Sequence, residues 1–278
     1  VPAGALPRKA RILVAEDNPV NQQVVRAMLG RIGMTVCIVG DGAQAVAAVQ
    51  AQPFDLILMD CQMPVMDGYE ASLQIRGLSD SRARTPIVAL TANALSEDRQ
   101  RCADAGMDDY LPKPVTVTAL VEMLTRHLGV DPAPAPAGEG CEPSRSASAA
   151  ESALKVFDPT VLASLSIELG GGEPGFAEEI RQLFEDDTRV KLGEIDRAFQ
   201  AGDRVAVQRQ MHALRSASAQ VGALELAGLA GVIEGALRAG DPLQAQWPGQ
   251  WQAAWSRLEA AWRAPAGPVR ATEHSDAA

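Results

Sequence analysis

Short apolar runs alternate with amphipathic segments in the first half of the chain. Four of these runs have the length of buried strands, and they cover residues 12–15, 56–59, 87–90 and the stretch through Tyr110 and Leu111. Strands that alternate with helices are typical of βαβ units, whose strands lie parallel in one sheet. A further strand is predicted around Cys37. This part of the chain is therefore predicted to be an α/β domain with a parallel sheet.

The second half of the chain has a helical pattern instead. Asp158 followed by Pro159 indicates a helix start, because Asp caps the first turn and Pro suits the first helical position. Glycine-containing breaks then divide the sequence into five helical segments. The first two cover residues 159–169 and 173–201. The third follows Gly202 and Asp203 and ends at about residue 221, the fourth covers 224–238, and the last contains the four tryptophans. Short connections join antiparallel neighbours, so we predict an all-α four-helix bundle with one accessory helix.

The tryptophan-rich segment has its own periodicity. Trp251, Trp255, Leu258 and Trp262 follow helical spacing and form one stripe. We interpret the stripe as core packing, with an exposed docking patch as the alternative. The glycine-rich stretch 170–175 lacks the Gly-Lys-Ser/Thr of a phosphate-binding P-loop, so we interpret it as a helix connection.

Composition marks the boundary between the two parts. Residues 129–152 are rich in Ala, Pro, Gly and Ser, which favour extended polyproline segments and coil. A flexible linker of about 24 residues would span roughly 27 Å. The predicted division is an N-terminal segment 1–8, a first domain 9–129, a linker 130–153, a second domain 154–264 and a disordered tail 265–278.

Composition also limits the class of protein. The 278 residues suffice for two hydrophobic cores. A formal charge of −10 and the lack of a basic stripe argue against nucleic-acid binding. No apolar run approaches a membrane span, and the four cysteines form no Cys-x-x-Cys pair, so we expect a cytoplasmic protein with reduced thiols. The first residue is Val1 rather than Met, which suggests a portion of a longer protein.

Each of the four apolar runs ends in residues suited to phosphoryl chemistry. These are Glu16 and Asp17, then Asp60, then Thr91, and finally Lys113 before Pro114. Parallel strands end at one edge of their sheet, and open α/β folds bind ligands at that edge. Three carboxylates, a hydroxyl and an ammonium are therefore predicted to meet there.

These groups have complementary roles in phosphoryl transfer, which needs positioning and charge neutralisation more than covalent help from the protein. A carboxylate can form an acyl-phosphate, so Asp60 is the candidate nucleophile. Glu16 and Asp17 offer hard oxygen ligands to Mg²⁺. Lys113 can place a positive charge on a phosphoryl oxygen, and Thr91 can donate a hydrogen bond to the same group.

The same segments resemble the receiver domain of response regulators. The resemblance spans about residues 9–129 and rests on ILVAEDNPVNQ (12–22), LILMDCQMPVMDGYE (56–70), PIVALTAN (86–93) and DDYLPKPV (108–115). It implies a flavodoxin-like doubly wound (βα)5 fold. The alternative is a flavodoxin-like domain whose carboxylates are only solvated strand ends.

The resemblance also implies roles for individual residues. Asp60 matches the family's phosphoacceptor, and Lys113 matches its catalytic lysine. Glu16 and Asp17 match its acidic pair. The implied Mg²⁺ site consists of these two residues, Asp60 and the backbone carbonyl of Gln62.

A further part of the family pattern concerns conformational change. Thr91 matches the family's switch hydroxyl, which is also catalytic, and Tyr110 matches its switch aromatic residue. Phosphorylation is therefore expected to shift both side chains. The resemblance also implies a cis peptide bond before Pro114.

Of the three histidines, His212 has the most informative position. The apolar stripe of its helix consists of Val207, Met211, Leu214, Ser218 and Val221. His212 lies about 100° around the helix from Met211. Its own face carries Arg215, Ser216 and Ala219, which are small or cationic. We therefore expect an imidazole open to a docking partner, with Arg215 able to pair with a phosphoryl group. The alternative is a helix histidine without function.

The segment HALRSASAQVGA (212–223) resembles the signature of histidine-containing phosphotransfer domains. The matching positions are His212, Leu214, Ala217, Ser218, Val221 and Gly222. Arg215 replaces the usual Lys, and Ser216 replaces the usual Gly. The resemblance implies that His212 carries a phosphoryl group, and Arg215 and Ser216 are predicted to be auxiliary residues of transfer.

Together the resemblances predict the C-terminal receiver and phosphotransfer portion of a hybrid sensor histidine kinase. Asp60 would accept a phosphoryl group from a kinase domain of the same polypeptide and exchange it with His212. His212 would pass it to the receiver of a downstream response regulator. Nothing in the chain resembles an ATP-binding kinase domain, so its classification as an enzyme stays open.

Two alternatives to this prediction are a free-standing receiver–phosphotransfer protein and a binding-only module in which His212 is silent. In each case the chain itself is expected to contact neither nucleic acid nor membrane. The parent protein could still be anchored in the inner membrane.

Overall fold

The structure, a computed structural model, describes residues 10–91, 96–129, 155–169 and 175–263, without the side chains of residues 96–98. These ranges form a five-stranded sheet with flanking helices and then a set of helices that pack on one another. The predicted N-terminal segment 1–8, linker 130–153 and tail 265–278 lie outside the described residues. The domain boundaries therefore remain predictions.

The sheet has five parallel strands in the order β2-β1-β3-β4-β5. The strands are β1 (Arg11–Ala15), β2 (Thr35–Val39), β3 (Leu56–Asp60), β4 (Ile87–Thr91) and β5 (Asp109–Pro112). The strands β3 and β4 are buried along their whole length, as expected when helices cover both faces of a parallel sheet. The predicted parallel α/β sheet is confirmed.

The helices of this domain lie in two layers. They are α1 (Pro19–Arg31), α2 (Gly42–Ala51), α3 (Gly68–Arg76), α4 (Ser96–Asp104) and α5 (Val117–Leu128). The layer of α1 and α5 packs on the sheet face that carries Ile12 and Val14. The layer of α2, α3 and α4 packs on the face that carries Leu13 and Ala15. Alternate strand residues thus pack against opposite helix layers. This arrangement confirms the predicted doubly wound flavodoxin-like fold.

Two local features set the geometry where β1 and β3 end. Asn18 caps α1 by accepting hydrogen bonds from two backbone N–H groups of the first turn, and Pro19 begins the helix. α1 therefore starts directly after the acidic pair. At the end of β3, a Cβ atom on Gly68 would lie 2.1 Å from the carbonyl oxygen of Asp60. Only glycine lets α3 approach the strand this closely.

The second part of the described chain is helical. Its helices are α6 (Pro159–Leu169), α7 (Phe176–Gln200), α8 (Arg204–Val221), α9 (Leu224–Arg238) and α10 (Trp247–Arg263). α8 packs between α7 and α9, and α10 packs on α9. α6 contacts α7 and α8 as the accessory helix. The predicted bounds of α6 and α9 are confirmed. The predicted start of α7 at residue 173 is wrong, because Gly175 has a non-helical φ of 134° and the helix begins at Phe176. The predicted helix connection at 170–174 lies outside the described residues.

The tryptophans of α10 form part of the bundle core. Trp251 is fully buried, and its indole N–H donates to Asp196 Oδ1 at 3.0 Å. Trp255 is buried against Phe184, and the half-buried Trp262 packs edge-on against the same ring. The interpretation of the stripe as core packing is confirmed.

The helical bundle packs against the first domain through α1. That helix contacts α6, α7 and α8. One buried hydrophobic core continues from the layer of α1 and α5 into the bundle. Among the described residues, no helix combines the length and apolar character of a membrane span.

Candidate functional site

Three carboxylates meet at the carboxyl edge of the sheet. Glu16 and Asp17 follow β1, and Asp60 ends β3. One oxygen of each carboxylate lies within 4.8 Å of the others. Glu16 and Asp60 are buried, and Asp17 is half-buried. The structure thus brings together the carboxylates that the strand pattern predicted at this edge.

Lys113 joins two of the carboxylates. Its ammonium donates to Glu16 Oε2 at 2.7 Å and to Asp60 Oδ2 at 2.6 Å. Burial of Lys113 opposes its charge, but the charges of Asp60 and Glu16 outweigh burial, so its pKa is raised. Lys113 therefore keeps its positive charge beside Asp60. The peptide bond to Pro114 is cis, as the resemblance implied.

Crowding and burial change the acidity of the carboxylates. Burial raises the pKa of Glu16; Lys113 offsets this only in part, and the charge of Asp60 adds to the rise. Burial, followed by the charges of Asp60 and Glu16, raises the pKa of Asp17 to about 7. Closely spaced carboxylate oxygens with excess negative charge form a donor set that suits a hard divalent cation.

The other residues predicted at this edge lie near Asp60 or on the neighbouring strands. The backbone N–H of Gln62 donates to Asp60 Oδ1 at 3.1 Å, while the role of the Gln62 carbonyl stays a prediction. Thr91 is buried at the end of β4, the strand that pairs with β3. Tyr110 on β5 is half-buried, and the guanidinium of Arg99 lies 4.4 Å from its ring centroid.

His212 in α8 is buried in this structure rather than open to solvent. Its Nδ1 lies 3.0 Å from Glu234 Oε1 on α9. An ionised carboxylate only accepts hydrogen bonds, so Nδ1 carries the ring proton and, in the neutral ring, Nε2 carries the lone pair. Nε2 is buried and has no hydrogen-bond partner among the described residues. In the neutral ring the geometry therefore leaves the lone pair on Nε2 unengaged.

Glu234 is held by two arginines as well as by His212. Arg238 donates to Oε1 at 2.5 Å, and Arg215 donates to Oε2 at 3.2 Å. Burial opposes the charge of Glu234, but the hydrogen bond from His212 and the charge of Arg238 outweigh it and lower the pKa of Glu234. Arg215, which was predicted to pair with a phosphoryl group, contacts this carboxylate here.

The face of α8 that carries His212 lies against the first domain. One turn further on, Ser216 Oγ accepts a hydrogen bond from Asn21 Nδ2 at 2.9 Å. Another turn on, Gln220 Nε2 donates to a backbone carbonyl after β5 at 3.5 Å. Asn21 Nδ2 also donates to Glu16 Oε1 at 2.9 Å. Residues four apart share a helix face, so His212 lies on the face directed at the acidic edge.

Sequence reasoning missed Glu234 and Asn21. Glu234 is a charged residue on the buried face of a largely apolar helix, and a buried carboxylate requires a partner. That signal was available from the pattern of α9. Asn21 gave a weaker signal, because an amide in the first turn of a helix is common without any function.

Two families match the chain. The response regulator receiver domain matches residues 12–125, and the Hpt domain matches residues 179–261. Among curated relatives, sensor histidine kinase GacS of Pseudomonas protegens is 31% identical over 221 residues, which are 79% of this chain and 23% of that protein. Sensor protein GacS of Pseudomonas syringae pv. syringae is 41% identical over 140 residues, which are 49% of this chain and 15% of that protein. The chain therefore spans less than a quarter of the length of these relatives.

Two solved structures are also similar to parts of the chain. The receiver domain of sensor histidine kinase PA1611 from Pseudomonas aeruginosa, with a magnesium ion in its active-site cleft, is 50% identical with a TM-score of 0.42, covering 44% of this chain and 99% of that one. A co-crystal structure of Saccharomyces cerevisiae Ypd1 with the receiver domain of Ssk1 gives 32% identity and a TM-score of 0.41, covering 45% of this chain and 91% of the matched chain.

The fold and the two family matches define a two-component phosphorelay protein. Residues 12–125 are a response regulator receiver domain, and residues 179–261 are an Hpt domain. The chain therefore combines a receiver domain and an Hpt domain.

Proposed function

We propose that the receiver domain and the Hpt domain of this chain exchange a phosphoryl group between Asp60 and His212. The observation that carries the proposal is the hydrogen-bond chain from Ser216 through Asn21 to Glu16. It links the helix face of the candidate histidine to the acidic edge that contains the candidate phosphoacceptor. A docked arrangement of this kind lets both residues address one phosphoryl group.

The first step of the proposed relay loads the receiver. A carboxylate oxygen of Asp60 bonds to the phosphorus of a kinase phosphohistidine, while the phosphorus–nitrogen bond breaks and the imidazole leaves. Lys113 supports this step because its ammonium lies 2.6 Å from Asp60 Oδ2 and offsets negative charge there.

The second step transfers the group to the Hpt domain. The lone pair on Nε2 of His212 attacks phosphorus, the bond between phosphorus and the Asp60 oxygen breaks, and the carboxylate is released to Lys113. Positive charge develops on the imidazole during attack. Glu234 offsets that charge because its carboxylate contacts Nδ1 at 3.0 Å.

Mg²⁺ is the proposed cofactor of both steps. Glu16, Asp17, Asp60 and the carbonyl of Gln62 would hold it, since Mg²⁺ binds through a few carboxylate and carbonyl oxygens and keeps its other waters. The donor set supports this assignment because three carboxylates lie within 4.8 Å of one another. Bound Mg²⁺ supplies charge neutralisation at the transferring phosphoryl group.

Thr91 and Tyr110 are the proposed switch of the receiver. Thr91 is buried at the end of β4, and Tyr110 lies on the adjacent strand β5. A phosphoryl group on Asp60 would attract the Thr91 hydroxyl and open space for the aromatic ring. Different side-chain rotamers with and without a phosphate mimic would support this coupling, and identical rotamers would contradict it.

The proposed parent of the chain is a hybrid sensor histidine kinase that acts in the cytoplasm. Its kinase domain would supply the phosphoryl group, and the receiver of a separate response regulator would take it from His212. The relatives support this parentage because they are sensor histidine kinases. A free-standing receiver–Hpt protein would use the same two residues with a kinase on another polypeptide.

Label transfer in the full chain tests the proposal. Incubation with Mg²⁺ and a labelled small acyl-phosphate should give base-labile label on Asp60 and then acid-labile label on His212. Asp60→Asn should remove both labels, whereas His212→Gln should keep only the label on Asp60. If the unaltered chain carries label on Asp60 and never on His212, the binding-only module becomes the better account.

A further inference from the structure

Asn21 lies at the centre of the contact between the receiver domain and the Hpt domain. Its side-chain Nδ2 donates two hydrogen bonds of 2.9 Å, one to Glu16 Oε1 and one to Ser216 Oγ. Asn21, Glu16 and Ser216 are all buried, so water competes little for these bonds. One amide group therefore connects a carboxylate of the acidic edge to the helix of His212.

The Hpt domain contributes a hydroxyl to this contact. Ser216 stands where the Hpt signature usually has Gly, and Gly offers no side-chain acceptor. Ser216 also lies one turn from His212 on the same helix face. The hydrogen bond to Asn21 therefore ties the position of the nucleophilic imidazole to the receiver domain.

A second asparagine forms a parallel connection. Asn18 Nδ2 donates to Asp187 Oδ2 on α7 at 3.2 Å, and the backbone N–H of Asn18 contacts Glu16 Oε1 at 3.3 Å. Lys191 in turn holds Asp187 at 2.8 Å. Both asparagines of the segment after β1 thus link Glu16 to the Hpt domain.

We propose that Asn21 and Ser216 determine which receiver domains this Hpt domain accepts. The preferred partner is a receiver whose first helix presents an uncharged hydrogen-bond donor at the position of Asn21. This class includes the receiver of the chain itself and the downstream receiver that takes the group from His212, because both must use the same face of α8. The inference rests on the proposed exchange between Asp60 and His212.

The chemistry of the contact explains the selectivity. An apolar residue in place of Asn21 would leave Ser216 buried without its donor, and an unsatisfied buried polar group costs more than a hydrogen bond contributes. A carboxylate in place of Asn21 would lack the donor as well and would lie beside Glu16, where like charges repel. An amide meets both requirements because it is uncharged and carries two donor hydrogens.

Hydrogen exchange in the full, unphosphorylated chain measures the contact. The variants are Asn21→Ala, Ser216→Ala and the double variant, and the readout is exchange protection of α1 and α8. Each single variant should raise the fraction of molecules in which the Hpt domain is separated from the receiver domain. The expected rise is about three- to tenfold, which corresponds to the loss of one hydrogen bond. The double variant should exceed the larger single effect only slightly, because both changes remove the same bond.

Gln23→Ala is the matched control for hydrogen exchange. Gln23 also donates an amide hydrogen bond from α1 to the Hpt domain, to Glu179 Oε1 at 3.4 Å, but the contact is exposed. We expect less than a twofold effect because water replaces this bond. The inference would be overturned if the effect of the double variant equalled the product of the two single effects. It would also be overturned if Gln23→Ala had as large an effect as Asn21→Ala or Ser216→Ala. Ser216→Ala retains a strong helix former, so it still decides the question if Asn21→Ala fails to fold.

Transfer between two full chains measures selectivity itself. The donor carries His212→Gln and Ser216→Ala and is phosphorylated at Asp60 with a small acyl-phosphate. The acceptor carries Asp60→Asn and Asn21→Ala. In both chains the bond between Asn21 and Ser216 is therefore already absent within the chain, and only the contact between the two chains is tested. Adding Asn21→Ala to the donor should raise the KM for transfer about three- to tenfold with little change in kcat. With Ser216→Ala in the acceptor, the two donors should become equivalent.

The two experiments separate the possible failures. If Asn21→Ala in the donor still raises the KM when the acceptor carries Ser216→Ala, Asn21 acts only through Glu16 and the inference is wrong. If the unaltered donor never labels the acceptor, the proposed exchange between Asp60 and His212 fails. Hydrogen exchange still decides in that case whether Asn21 and Ser216 form the selective contact, because it requires no phosphoryl group.

Discussion

Replacing Glu234 by glutamine tests how the Hpt domain prepares His212. The carboxylate accepts a hydrogen bond from Nδ1 at 3.0 Å, which leaves the lone pair on Nε2. A glutamine amide can turn its NH₂ group toward Nδ1 and so move the ring proton to Nε2. A protonated Nε2 cannot attack phosphorus. Glu234→Gln should therefore slow phosphorylation of His212 and leave phosphorylation of Asp60 unchanged.

The expected size of this effect follows from burial. A hydrogen bond to a charged group contributes about 1.5–3 kcal/mol, and the contact between His212 and Glu234 is buried at both ends. This corresponds to a rate about 10- to 100-fold lower. The side chains of Arg215 and Arg238 are 34% and 43% exposed, so water can solvate both guanidinium groups when Glu234 loses its charge. The variant should therefore remain folded.

Rapid-quench measurement of acid-labile label gives the rate of His212 phosphorylation. The control is Glu225→Gln, because Glu225 lies on the same helix but pairs with Arg257 at the surface, at 2.6 Å. That control should transfer at the normal rate. A folded Glu234→Gln variant with a transfer rate within about twofold of the unaltered chain would refute the role of Glu234 in fixing the tautomer.

Burial and the charges of Asp60 and Glu16 raise the pKa of Asp17 to about 7, so Mg²⁺ must displace a proton from Asp17 below that pH. The affinity for Mg²⁺ should therefore increase about tenfold per pH unit up to about pH 7. Titrations at several pH values in the unaltered chain and in Asp17→Asn would check this, and an equal pH dependence in both would contradict it. The pKa of Asp17 in the folded chain exceeds its ordinary value of 3.8, so the folded state holds this proton more tightly than the unfolded state. The metal-free protein should therefore become less stable as the pH rises from about 4 to about 7, and melting curves without Mg²⁺ would detect this. Gly68→Ala should lower the melting temperature by an amount equivalent to about 1–3 kcal/mol or more, because its Cβ would lie 2.1 Å from the Asp60 carbonyl; an unchanged melting temperature would show that α3 can shift.

The receiver half illustrates what the sequence can predict. Its strands are short buried runs, and parallel strands place their carboxyl ends at one edge regardless of how the helices pack. The clustering of Glu16, Asp17 and Asp60 could therefore be predicted from their positions at the ends of two strands. The bounds of α6 and α9 were predictable for a similar reason, because Pro159 and the glycines around the helices act locally.

The surroundings of His212 depend on contacts between distant residues. Glu234 is 22 positions away and approaches only because α8 and α9 pack as neighbours. Asn21 and Ser216 are 195 positions apart, and their hydrogen bond depends on how the bundle docks on α1. A linker composition of Ala, Pro, Gly and Ser sets the reach between two domains but no docking orientation. For this reason the sequence suggested an open imidazole, whereas the structure buries it.

The position of the phosphoryl group on the histidine tests the central claim most directly. The full chain with ¹⁵N-labelled histidine would be treated with Mg²⁺ and a small acyl-phosphate and followed by phosphorus and nitrogen NMR. We predict a phosphohistidine at Nε2 of His212, because Nδ1 is bound to Glu234, and we predict its complete loss in Asp60→Asn. A phosphohistidine that forms equally well in Asp60→Asn, or a phosphoryl group that stays on Asp60 and never reaches Nε2, would contradict the relay.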